Sequence, residues 1–116
     1  MKDFAMLFHS EPNPNFQPTP EQIQDEVKRW QDWMGGIAAQ GKLKSPGEAL
    51  GFVGKTMHAD GTVTDGPYAE IKEIVGGFII CSAHDIEEAI GLAKGCPALE
   101  NGGKVEVRDV MVFEGM

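Results

Sequence analysis

Cysteine is scarce in this chain: Cys81 and Cys96 are the only two among 116 residues, and they form no Cys-x-x-Cys pair. A disulfide framework or a thiolate metal site is thereby excluded, and the spacing predicts two buried, reduced thiols acting as small hydrophobes. Histidine is equally thin, with His9, His58 and His84 in no H-x-x-H or H-E-x-x-H arrangement, so no metal ligand set can be assembled. Gly76-Gly77 belongs to neither a G-x-G-x-x-G nor a P-loop pattern, and no cofactor is expected. Basic residues are few as well: 10 Lys and Arg face 18 Asp and Glu, a net charge of −8. A pI near 4.7 argues against a nucleic-acid partner, since the phosphate backbone would meet like charge. Long apolar runs are missing, and the stretch from Phe4 to Phe8 follows no basic region and is too short for a signal-peptide core or a membrane span. A soluble, cytoplasmic protein is expected. The composition itself, 41% hydrophobic and 24% charged, is that of a globular chain, and the length suits one domain over residues 1–116.

Asp3 to His9 reads as a strand with apolar residues on both faces, Phe4, Met6 and Phe8 against Ala5 and Leu7. Pro12, Pro14 and Pro18 make the following stretch a loop. A helix then starts at Thr19, with Pro20 in its first turn and Gln22 completing a capping box, and Ile23, Val27, Trp30, Met34 and Ile37 lie along one stripe. Gly35 and Gly36 weaken its last turns, and Gly41 suits a left-handed stop. Between Leu43 and Thr64 the pattern breaks into short glycine-punctuated runs, and Ala59-Asp60-Gly61 predicts a hairpin between Phe52–His58 and Thr62–Thr64. Val75 to Ser82 is again apolar on both faces. Asp85 and Glu88 open a second helix striped by Ile86, Ala89, Ile90 and Ala93, and Lys104 to Phe113 alternates as a last strand.

Strand, helix, hairpin, strand, helix, strand is the order of a ferredoxin-like split βαβ fold, an α+β arrangement with an antiparallel sheet. Two helices cover only one face of such a sheet. The apolar residues on the other face then require a partner, and a homodimer packed sheet against sheet is the simplest one. The run from Thr64 through Asp65-Gly66-Pro67-Tyr68 to Glu73, followed by Gly76-Gly77-Phe78, resembles the DGPF-type branch of the YCII-related family. Asp85-Ile86-Glu87-Glu88-Ala89, Cys96-Pro97 and Val105-Glu106-Val107-Arg108 extend the resemblance over nearly the whole chain. It implies a dimeric ferredoxin-like α/β barrel. YCII-like members are proposed to pair a His on the first helix with an Asp, whereas Lys28 to Met34 here holds Trp30 and Trp33 and no His. Arg108-Asp109 stands where the family usually has Arg-Pro. The same resemblance implies an association with extracytoplasmic-function sigma factors, next to which such proteins are often encoded.

Asp65, on a turn, can act as a general base or bind a cationic group, and it can equally cap the turn it sits on. His9 at the end of the first strand can line the same cavity as an acid/base group, and Tyr68, the only tyrosine, offers a phenolic donor; each has a plain packing role as its alternative. Glu70, Lys72 and Glu73 form either an acid/base cluster or a solvated ion network. Arg108 can clamp a carboxylate bidentately or pair with Glu106 two residues away on the same strand face. The resulting expectation is a cavity that binds a small organic molecule. Asp65, His9 and Tyr68 are its acid/base candidates for a lyase-, isomerase- or hydrolase-like step, and Glu70, Lys72 and Arg108 its ligand-binding candidates. The alternative is a regulatory module.

Overall fold

A computed structural model of the chain describes residues 1–11, 16–65, 74–100 and 102–115. The elements are β1 (Lys2–Ser10), α1 (Pro20–Ala39), β2 (Leu43–Ala49), β3 (Lys55–Met57), β4 (Val63–Asp65), β5 (Ile74–Ala83), α2 (Ile86–Ala93), α3 (Pro97–Glu100) and β6 (Lys104–Asp109). Four strands form an antiparallel sheet in the order β2-β5-β1-β6, with the first strand inside and β2 and β6 at the edges. Together with the two long helices this is the ferredoxin-like topology, an α+β fold.

Strand alternation places Phe4, Met6 and Phe8 of β1 beside Ile79, Cys81 and Ala83 of β5 on one face. The helices cover that face: Ile37 from α1 and Ala89 and Ala93 from α2 join the same buried cluster, with Cys96 and Ala98 at its end. Small residues on α2 let that helix lie close to the strands. Trp30 and Trp33 of α1 meet Phe8 edge-on, with ring centroids 4.7 and 5.7 Å away, and each indole N–H has an acceptor, Glu26 Oε1 at 2.9 Å and the Leu92 carbonyl at 3.1 Å. Both tryptophans therefore pack α1 onto the sheet. Thr19 and Gln22 form the reciprocal capping box, and Asp85 accepts from the Glu88 N–H at the start of α2. Cys81 and Cys96 are buried and unpaired, and burial pushes the Cys96 thiol up to about 11.

The expected hairpin is present as β3 and β4, but it is a separate two-stranded sheet and not part of the main one. The fourth strand of the main sheet is β2, in the sequence Leu-Lys-Ser-Pro-Gly-Glu-Ala, where no strand is expected from the pattern. Pro46 is tolerated there because β2 is an edge strand, and two register shifts against β5 break the alternation that would have revealed it. The last strand stops at Asp109, so Val110 to Phe113 leave the sheet. Helix α1 runs through Gly35 and Gly36 to Ala39, and Gly41 takes the left-handed conformation (φ +71). Its apolar stripe is only half used, because Ile23 and Val27 lie beyond the sheet and are exposed.

Candidate functional site

Because Phe4, Met6 and Phe8 point to the helices, Asp3, Ala5, Leu7 and His9 point away from them. The same alternation turns Phe78, Ile80 and Ser82 of β5 to this second face. On β6, Val105 and Val107 pack on the core, so Lys104, Glu106 and Arg108 face outward. Register sets the rows: Leu7 lies between Phe78 and Glu106, and Ala5 between Ile80 and Arg108. An apolar strip of Ala5, Leu7, Phe78 and Ile80, all half-buried, thus crosses the sheet between two polar ends.

At one end His9 Nε2 lies 2.8 Å from Glu106 Oε1. A carboxylate only accepts, so Nε2 carries a proton, and in the neutral ring Nδ1 is then the acceptor. The His9 side chain is 18% exposed and that of Glu106 43%, which holds the pair at the margin of the apolar strip and open to a bound molecule. The second Glu106 oxygen faces Arg108 Nε at 3.9 Å, too long for a direct hydrogen bond. The Arg108 fork is 69% exposed and is therefore accessible to an anionic group. At the opposite end Asp3 pairs with Lys44 and accepts from Ser82 Oγ at 3.2 Å. The Lys44 ammonium holds the Asp3 carboxyl below its ordinary range.

A bulge in β5 lies beside His9. Phe8 stands opposite Gly77 and His9 opposite Val75, so Gly76 is the extra residue. Gly77 is required by close approach, since a Cβ there would meet the Glu48 carbonyl oxygen at 2.9 Å. The paired glycines thus serve strand packing and a bulge together.

Asp65 is not part of this cluster. It ends β4, its side chain is 93% exposed, and its Oδ1 accepts from Lys55 Nζ at 2.6 Å across the β3–β4 ladder. The structure places it in the small sheet and His9 in the large one. Tyr68, Glu70 and Lys72 lie outside the described residues; Ile74 stands opposite Ser10, next to the His9 row. Glu106, read from sequence only as a neighbour for Arg108, is the residue that completes the His9 site. Its period-two spacing from Arg108 shows that the two share a face, but the pairing with His9 depends on the β1–β6 register, which the sequence does not display.

Away from this face, Lys42 Nζ and Glu88 Oε1 stand 3.0 Å apart in an open depression of about 540 Å³ between α1 and α2. That lysine lowers the Glu88 carboxyl below its ordinary value and ties α2 to the start of β2. Among the described residues no group of three or more His, Cys, Asp or Glu side chains could hold a metal ion, and no helix is long and apolar enough to cross a membrane.

Fold and site together define a ferredoxin-like α+β protein with a mostly apolar sheet face that the described helices leave open, edged by a histidine–carboxylate pair. Compared with models of known families, residues 4–114 match the YCII-related domain, and the chain belongs to the YCII-related family. No curated protein matches it.

Proposed function

We propose that two copies of the chain pack their uncovered sheet faces together and enclose a small organic carboxylate between them, on which His9, oriented by Glu106, performs proton transfer. The 2.8 Å His9–Glu106 contact beside the apolar strip carries this reading. The carboxylate keeps the imidazole in one tautomer and presents Nδ1 as a base, the arrangement that acid/base catalysis needs. Arg108 supplies a guanidinium for the ligand's carboxylate. The face suits self-association because Lys44, Lys104 and Arg108 offset Asp3 and Glu106 on it, so a chain of net charge −8 does not meet itself acid to acid there. Proton transfer on such a ligand is within reach of these side chains alone. Asp65, Tyr68, Glu70 and Lys72 belong to the segment leading to β5, and we assign them to the ligand's approach. A cytoplasmic location fits this role.

A thermal-shift screen of small organic carboxylates on the wild type, Glu106→Gln and Asp65→Asn, followed by turnover of any hit, tests the reading. Glu106→Gln should keep the fold and lose turnover by about 10² to 10⁴, the usual contribution of a positioned proton-transfer group. Asp65→Asn should weaken binding if the segment meets the ligand; unchanged binding makes Asp65 a partner of Lys55 and nothing more. A ligand turned over equally by wild type and Glu106→Gln contradicts the assignment. Binding without turnover would instead favour the regulatory role that goes with a sigma-factor association.

A further inference from the structure

The two edges of the main sheet are built differently. Strand β2 carries Pro46, Gly47 and two register shifts against β5, features that blunt an edge against further pairing. Strand β6 pairs with β1 without a shift, and among the described residues no strand lies on its other side. The Val110 N–H donates to the carbonyl of Asp3, the residue directly opposite in this register, and hydrogen-bonded pairs alternate along an antiparallel ladder. Lys104, Glu106 and Arg108 therefore turn their backbone groups to β1, whereas Val105, Val107 and Asp109 turn theirs to the open edge. Helix α2 continues this surface. It packs on β6, and Glu88, Gly91 and Leu92 line its side towards α1, so Ile86 and Ile90, 43 and 48% exposed, lie on its other flank, towards the β6 edge.

The side chains of β6 fit this edge to a second copy. When a strand pairs antiparallel with its own copy, the two-fold axis stands perpendicular to the sheet and each side chain keeps its face, so facing positions are both even or both odd. An axis at Glu106 sets that carboxylate against itself and Lys104 against the partner's Arg108. Axes at Val105 or Arg108 leave only half of the strand paired. An axis at Val107 sets Glu106 against the partner's Arg108, twice over by symmetry, with no like charges opposed. We infer that β6 pairs antiparallel with β6 of a second copy about an axis at Val107. Val105, Val107 and Asp109 then exchange backbone hydrogen bonds with the partner's Asp109, the partner's Val107 and the partner's Val105. The partner's Arg108 gives Glu106 the close guanidinium contact that its own Arg108, with Nε 3.9 Å away, does not make, so a second chain adds a residue to the His9–Glu106 site. Ile86 and Ile90 of the two α2 helices approach each other above the join. The inference does not need the face-to-face pair proposed above. A contact of one strand and one helix flank is small, and it forms at millimolar rather than micromolar concentration.

Ile80→Asp, on the sheet face and away from this edge, isolates the contact. Sedimentation equilibrium of Ile80→Asp at millimolar concentration should show a dimer. Adding Glu106→Arg opposes Arg to Arg at both joins and should weaken that dimer about tenfold or more; adding Arg108→Glu as well should restore it, because the two charges are then exchanged. A single chain mass at millimolar concentration, or a double exchange no stronger than Glu106→Arg, overturns the inference. In the otherwise wild-type chain, Glu106→Cys and Arg108→Cys proteins mixed one to one should form an intermolecular disulfide on oxidation far faster than either alone. Directly opposite residues are within disulfide reach, whereas residues two positions out of step are not, and the native thiols are buried. Sheets stacked face to face stand about 10 Å apart, too far for that bond, so cross-linking no faster in the mixture than in the single proteins also overturns the pairing.

Discussion

Asp3 and Glu88 each hold a negative charge against a lysine, Lys44 and Lys42 respectively, and both carboxyls titrate below their ordinary values of 3.8 and 4.5. The unfolded chain therefore takes up protons in mild acid before the folded chain does. The stability these groups add is complete above the unfolded values and is lost as pH falls through the lowered, folded ones. Melting temperature should be flat from neutrality to about pH 5 and decline below about pH 4, and Lys44→Gln should make the decline shallower. An acid profile identical in wild type and Lys44→Gln would remove Asp3 from this account. Single-residue chemistry of this local kind was partly legible in the sequence. The Thr19–Gln22 box and the Asp85 cap follow from side chains three positions apart and are both present. The His9–Glu106 and Asp3–Lys44 pairs join residues 97 and 41 positions apart, and no local rule brings them together.

Elements were legible where one physical signal dominated. Both central strands, β1 and β5, are apolar on two faces, and both main helices carry caps and stripes, so their positions follow from periodicity. Strand β2 follows from none of these. It is held by backbone geometry instead, with Gly47 at φ +59 and so close to β5 that a Cβ would lie 1.7 Å from the Phe78 carbonyl oxygen. Gly47→Ala should cost about 2 kcal/mol or more, through the left-handed conformation and the collision together. Gly91 gives the contrast: it lies in α2 with nothing within 4 Å of a built Cβ, and Gly91→Ala should stabilise by up to about 1 kcal/mol. Chemical denaturation of the two variants checks both signs, and a Gly47→Ala protein as stable as wild type would show that β2 can shift to accommodate the methyl.

At the scale of the whole molecule the chain is thin and spread, 45 × 40 × 20 Å with a radius of gyration of 15.9 Å. A compact chain of this length would have a radius of about 13 Å. Among the described residues the difference lies in the β3–β4 arm, the run after β6 and a sheet with helices on one side. Twenty ångströms is the depth of one helix layer on one sheet, and a fold whose strands are apolar on both faces requires a further layer. The sequence already carried this argument in the doubled apolar faces of β1 and β5, whereas the separation of the β3–β4 hairpin from the main sheet and the exit of the run after β6 were hidden, because both segments resemble ordinary strands in pattern. The measurement that tests the account most directly is sedimentation equilibrium at micromolar concentration on wild type and Ile80→Asp, a change in the middle of the uncovered face. Wild type should sediment at twice the 12.6 kDa chain mass and Ile80→Asp, still folded, at the single mass. A wild type that sediments as a single chain, or an Ile80→Asp protein that remains a dimer, would contradict the sheet-to-sheet assembly and the enclosed site built on it.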